Sequence, residues 1–330
     1  MKINIKNIKV KSICATLFIS LFLSCGSGAV AEETPQSKFL KSLADLGDEF
    51  LNVFTSFGDS IGNALGFSAV TSDNKRNIVG KHFDKVKTGL ENTKNQLSIL
   101  SDKISKTKNA DTKDVEDVTV TIKKAIDEVI SKLIDSLTKL TEVTNAEIDI
   151  AEGAAAGANE DSVKSVIKNV KKIVDVANEV EKNLGINIIQ KGNNGNPVAN
   201  GEGPRALISN AQAIQGDGSK LAKAVSDADP WAMIDKINNT TSTTPAVPVA
   251  SSEAGVLATA TASNANAGAK TTADLAAAVA LKAMTKDGKF SQAQSNEVGA
   301  VKAAAASAVN KLLGILDLII IKTVVSNLEK

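Results

Sequence analysis

The sequence predicts an all-α protein: an elongated helical bundle built from N- and C-terminal helices, with a loop-rich middle that carries short helices and little or no strand. Three observations lead there. Apolar residues recur at helical spacing through long early segments, the C-terminal stretch is a long apolar run of the same period, and strictly alternating runs are scarce between them.

The earliest segment, 39–67, reads as helical and is rich in phenylalanine. Phe39, Phe50, Phe54, Phe57 and Phe67, with Phe83 soon after, predict a local aromatic cluster that other helices cover. Gly58, Gly62 and Gly66 recur every four residues and predict close approach of another helix, although an interior Gly costs about 1 kcal/mol relative to Ala. Phe83, Val86, Leu90, Leu97, Leu100 and Ile104 then form one stripe, with polar Thr93 at the missing step. The next helix, capped by Asp111 or Thr112, carries Val118, Ile122, Ile126, Val129, Leu133, Leu137 and Leu140. Their steps average roughly 3.6 residues, the period of one stripe on a straight helix. A third helix starts near Asp161, carries Val163, Val166, Val170, Ile173, Ala177, Val180 and Leu184, and stops before Gly185. All three stripes are expected to face the core.

The texture changes at Gly192. Gly192-Asn193-Asn194-Gly195-Asn196-Pro197, Gly201-Glu202-Gly203-Pro204 and the polar run from Asn238 to Pro245 are turn-formers that cannot bury much apolar area, so they are expected at the surface. Short helices are expected between them, over 205–214, 219–226 and 231–237, the last with Pro230 in its first turn. Residues 185–190 suit a short strand. The Ala-rich stretch 273–284 is a good helix by propensity, stopped at Asp287-Gly288. The final helix, 297–328, becomes apolar nearly all round in its second half. Asp317 and Lys322 interrupt the run of about 20 apolar residues that a membrane span needs, so it is expected as the central helix of the bundle.

The N-terminus reads as an export signal. Lys2, Lys6, Lys9 and Lys11 form a basic region before an apolar core from Ile13 to Leu23, too short to span a bilayer. Leu21-Phe22-Leu23-Ser24-Cys25-Gly26 is similar to a bacterial lipoprotein cleavage box, in which the cysteine becomes an acylated N-terminus; Phe22 departs from the usual Leu. The organisation expected is a signal peptide at 1–24, an acylated tether at 25–37 and a single helical domain at 38–330. The other reading is an ordinary signal cut near Ala29 or Ala31, with Cys25 discarded. Cleavage before Cys25 removes four lysines and no acid, leaving 34 basic residues against 37 acidic ones, a charge of −3.

That balance gives no reason to expect nucleic acid as a partner, and the charges are interspersed along helices rather than gathered in a basic stripe. With Cys14 in the leader and Cys25 acylated, no disulfide is expected. A single histidine, His82, is read as a surface or boundary residue and excludes a two-histidine metal site. Gly201-Glu202-Gly203 starts like a dinucleotide fingerprint, but Pro204-Arg205 follows and no βαβ unit surrounds it. No phosphate loop or nucleophile elbow is present. Trp231, the only tryptophan, is read as a ring folded against the body beside a capped helix start. Catalytic, metal and cofactor sites are therefore not expected, apart from the acyl chains on Cys25.

Several long strings carry a family likeness: Asp229-Pro230-Trp231-Ala232-Met233-Ile234-Asp235-Lys236-Ile237, the segment from Ala276 through Ala283-Met284-Thr285-Lys286-Asp287-Gly288-Lys289-Phe290, and the run from Ala308 to Ile320. With the leader, they resemble the variable large proteins, surface lipoproteins of relapsing-fever Borrelia related to the Vls surface antigen of Lyme disease spirochaetes. The resemblance implies a non-enzymatic, helical lipoprotein of the cell outer membrane that acts in antigenic variation and immune evasion. It implies two partners, outer-membrane lipid through Cys25 and host antibodies. It marks 276–290 as the invariable helix-and-turn region, while the loop-rich part at about 186–272 is expected to vary. An adhesin reading, with a host polyanion or protein as ligand, requires a basic face combining residues such as Lys123, Lys124, Lys171 and Lys172. A homodimer is left open.

Overall fold

The computed structural model describes residues 45–53, 55–59, 70–106, 112–153, 156–243, 251–261 and 268–328. Ten α-helices are named here. They are α1 (Asn77–Ser105), α2 (Thr112–Lys124), α3 (Ser131–Thr144), α4 (Glu160–Leu184), α5 (Pro204–Ile208), α6 (Asp217–Asp227), α7 (Pro230–Asn238), α8 (Ala254–Thr259), α9 (Thr272–Met284) and α10 (Val298–Leu328). Residues 45–53 and 55–59 are helical as well, and Val53 and Phe57 are buried. Among the described residues strand pairing is confined to isolated bridges, so the all-α expectation holds.

Helices α1, α3 and α4 form an antiparallel layer held by the predicted stripes. Phe83, Val86, Leu90, Leu97 and Leu100 of α1 are buried, as are Leu133, Leu137 and Leu140 of α3 and Val163, Val166, Val170, Ile173, Ala177 and Val180 of α4. Each large aliphatic contributes about 1.5–3 kcal/mol by leaving water. Thr93, at the gap in the first stripe, is buried because its hydroxyl donates to Gly89 O at 2.9 Å, so no polar atom is stranded. Helix α4 is bounded as its sequence demands: the Asn159 side chain accepts from the Ser162 amide, and Gly185 closes the helix with φ 67°.

The second predicted helix is not straight. A π-helical segment, Ala125–Ile130, joins α2 to α3, and Ala125, Ile126, Val129 and Ile130 are all buried there. The π segment lets adjacent residues share the core face, which a repeating stripe cannot reveal.

Helix α9 occupies the centre, where the sequence reading had put the last helix. Every residue from Ala273 to Met284 is buried, and an Ala-rich helix suits the position because small side chains let neighbours approach from all sides. Its start is capped by Thr271, whose hydroxyl accepts from the Asp274 amide. Helix α10 packs beside it but leaves Val298, Gly299, Ala303 and Gly314 exposed. By length and composition α10 could cross a membrane, yet most of its apolar stretch is buried within the protein.

Two other expectations are corrected. Residues 185–190 form no strand, because the Glu181 carboxylate takes the amides of Ile188 and Ile189 that a ladder would use. The helix expected over 205–214 ends at Ile208, where Ser209 is extended. A Cβ at Gly58 would meet no atom of the described residues within 4 Å, and Gly62 and Gly66 lie outside those residues. Of the early phenylalanines, Phe57 and Phe83 reach the core and Phe50 packs against it, with the His82 ring edge-on to Phe83 at 5.9 Å; Phe39, Phe54 and Phe67 lie outside the described residues.

Candidate functional site: a middle region held by its backbone

Cys25, the predicted lipidation site, lies outside the described residues. The nearest described helix, 45–53, is tied to the C-terminal end of α1 by the Glu49–Lys103 pair at 2.5 Å.

The region expected to vary divides into two kinds of surface. Lys191, Asn193 to Pro197, Asn210 to Gln212 and Thr241 are exposed, as turn-formers should be. The short helices between them are not. Leu207, Ile208, Leu221, Val225, Met233, Ile234, Ile237 and Leu257 are buried, so the middle region is part of the core as well as part of the surface. The 3.6-residue pattern of a helix shorter than three turns is too brief to stand out among polar turns, which is why sequence reasoning underrated this burial.

What grips these helices is a set of charged side chains on the flanking elements, directed at backbone atoms. Lys282, fully buried in α9, donates from Nζ to Leu207 O at 2.8 Å and to Ala260 O at 3.3 Å. These carbonyls lie at the C-terminal ends of α5 and α8, where a cation complements the helix dipole and satisfies groups that lack intrahelical partners. Burial foremost, and then the positive charge of Arg76, lowers the Lys282 pKa to about 7. Helix α10 holds α6 at both ends. The buried Glu297 carboxylate accepts from the Gly216 amide at 2.9 Å and the Ser219 hydroxyl at 3.2 Å, beside the N-terminus of α6. Lys311 donates to Ser226 O at 2.7 Å and Ala228 O at 2.6 Å, beside its C-terminus. Burial lowers the Lys311 pKa.

Arg76 does the same for α9 itself. Its guanidinium, wholly buried, donates to Thr285 O and Gly288 O just beyond the end of that helix, and to Asp149 O in the loop after α3. Burial lowers its pKa to about 10. The loop bases are joined largely through backbone: Val198 and Ala269 exchange hydrogen bonds at 3.0 and 2.9 Å, Ser252 N donates to Gly268 O at 3.1 Å, and Lys270 N donates to Ser252 O at 2.9 Å, with the Lys270–Glu253 pair at 3.4 Å beside them.

His82 is a correction. It is buried, with Nε2 3.1 Å and 3.0 Å from the two oxygens of buried Asp317, and so joins α1 to α10. The sequence showed Asp317 as a break in an apolar run but gave no sign of its partner 235 residues away. Trp231 sits as expected, half-buried at the start of α7 with Asp229 accepting from its amide, and Lys322 Nζ lies 5.9 Å from its ring centroid. The four lysines of the adhesin reading are exposed but do not form one face. Lys132 pairs with Glu179 at 3.0 Å across antiparallel α3 and α4, which puts Lys123 and Lys124 to one side of that pair and Lys171 and Lys172 to the other. At 1.5 Å per residue the two pairs stand roughly 20 Å apart along the helices. Among the described residues no three of His, Cys, Asp and Glu gather as a metal site.

An all-helical protein with a buried central helix and turns displayed around it is the class the fold defines. The family model for Borrelia lipoprotein matches residues 50–330. Variable large protein 12 of Borrelia hermsii is 51% identical over 329 residues, covering 97% of this chain and 89% of that one. Variable large protein 14 of the same organism is 47% identical over 336 residues, covering 98% and 91%. The crystal structure of the Lyme disease variable surface antigen VlsE of Borrelia burgdorferi superposes with a TM-score of 0.70 at 28% identity, covering 89% of this chain and 97% of that one. The chain belongs to the variable large protein family of Borrelia lipoproteins, non-enzymatic surface antigens of antigenic variation.

Proposed function

We propose that the protein is exported with removal of 1–24, acylated on Cys25 and displayed from the cell outer membrane on a tether at 25–37. There a helical domain at 38–330 presents the part at about 186–272 to host antibodies as its replaceable surface. The observation that carries this reading is the chemistry of the clamps. Lys282, Lys311 and Glu297 bind mainly backbone carbonyls and amides, which are present whatever side chains the middle region carries. Exposed side chains there can therefore change while the helices beneath keep their places.

The direction of the chain supports the display. Asn310 bonds to Val70 through both its amide atoms, and Asp317 meets His82, so the part of α10 that carries α6 extends past the N-terminal end of α1. The Glu49–Lys103 pair, on the tether side, is at the opposite end of α1. The turn over 209–216 is therefore at the other end of the domain from the Glu49–Lys103 pair, which supports a reading in which it is displayed away from the lipid.

Anchoring has its own energetics. One acyl chain gives marginal attachment, whereas two or more hold firmly at about 0.8 kcal/mol per buried CH₂. Palmitate labelling and fractionation test the anchor: the parent is expected labelled and in the membrane fraction, and Cys25→Ser unlabelled and in solution. A Cys25→Ser variant that stays with the membrane overturns the anchor, and survival of the parent through protease treatment of intact cells overturns surface display.

A further inference from the structure

Between the C-terminal half of α4 and α7 lies a cleft of about 420 Å³, closed on its third side by the turn over 189–194. Its walls are fixed. Asp229 accepts from the Asn193 amide at 2.9 Å through one oxygen and from the Trp231 amide at 2.9 Å through the other, so one carboxylate pins the turn to the start of α7. Gly192 lets the turn lie flat, since a Cβ there would fall 2.1 Å from Ala232 N.

The lining combines an apolar strip with oxygen acceptors and carries one cation, Lys191, on the turn. Val174, Ile234 and the half-buried ring of Trp231 form the strip. Asn238 lines the cleft, and its Oδ1 is shielded from solvent without a hydrogen-bond partner, which is costly for a buried acceptor unless something supplies a donor. Glu181 uses Oε1 for the Ile188 and Ile189 amides, and Asp235 uses Oδ1 for Asn239 at 2.7 Å, which leaves the second oxygen of each carboxylate for a ligand. Three acceptor-bearing residues, two of them anionic, line one cleft together with an aromatic ring. A primary ammonium has three donors and no acceptor, and an alkyl stem suits the apolar strip.

We propose that this cleft binds a primary alkylammonium group, with the ammonium among Asn238, Asp235 and Glu181 and the stem along Trp231, Ile234 and Val174. The chemistry is shared by free alkylamines and by the lysine side chain of a partner protein.

Trp231 is the only tryptophan in the chain, so its fluorescence reports the cleft directly. The full chain is titrated with n-butylammonium, with Nα-acetyl-lysine methylamide and with uncharged n-butanol. A saturable emission change is expected for at least one ammonium probe, with none for butanol, and added salt should raise the half-saturation point. The stronger of the two ammonium probes identifies the source. Asp235→Asn, an isosteric change at an exposed residue, is expected to weaken that binding about tenfold while leaving the circular dichroism spectrum unchanged. Absence of saturation with both ammonium probes, an equal response to butanol, or an Asp235→Asn protein that titrates like the parent overturns the proposal.

Discussion

The layer of α1, α3 and α4 and the group α5, α6 and α8 are held by different forces. In the first, apolar side chains fit against apolar side chains, so each position depends on its neighbours' shape. In the second, burial of a few aliphatics is supplemented by Lys282, Lys311 and Glu297 bonding to backbone atoms. The difference teaches where such a molecule tolerates change. A stripe resists substitution at nearly every inward position, whereas a helix gripped by its carbonyls and amides accepts new residues on its outer face.

The largest effects are expected where shape or charge is fully enclosed. Leu137→Ala in the stripe of α3 should cost about 3 kcal/mol, and His82→Ala, which leaves Asp317 buried without its partner, roughly 3–5 kcal/mol; urea unfolding followed by circular dichroism measures both. Next comes Lys282→Met, which keeps the volume but strips Leu207 O and Ala260 O of their donor, at about 2–4 kcal/mol.

Lys282 also carries a pH signature. Its pKa is about 7 in the folded protein and 10.5 when unfolded, so between those values the unfolded chain binds more protons and stability should rise with pH. That contribution is complete above about 10.5 and absent below about 7. The rise should vanish in Lys282→Met; an unchanged pH profile would count against the buried ammonium.

A smaller cost, about 1–2 kcal/mol, is expected for Lys311→Met or for Glu297→Gln, each of which weakens one end of the grip on α6. The two should combine less than additively if they hold the same helix. Measuring the pair and both single variants sharpens the comparison, because additive costs would mean that the ends of α6 are held independently.

The legible half of the fold is the half built on stripes. Thr93, standing where an apolar residue was due, still marked the core face of α1, and Gly185, Asp229 and Pro230 fall at helix boundaries as their chemistry requires. The centre was harder to read. Helix α9 has no polar face, so nothing in its pattern says which side is buried, and the answer is all of them. Lys282 looked like an ordinary charge on an Ala-rich helix, because its partners are carbonyls from distant turns that carry no sequence signal. His82 and Asp317 were each visible, but their pairing depends on how α10 passes α1. The acylation proposed at Cys25 rests on its cleavage box alone.

The account turns on whether exposed residues of the middle region can be exchanged without disturbing what lies beneath. Asn187, Asn210, Gln212, Gln215 and Ser251 are exposed, and no side-chain hydrogen bond is recorded for any of them. Replacing all five with charged residues and measuring the unfolding free energy is the direct test. The predicted result is a change within about 0.5 kcal/mol, together with loss of binding by antibodies raised to the parent. A loss of about 3 kcal/mol, comparable to that expected for Lys282→Met, would contradict it.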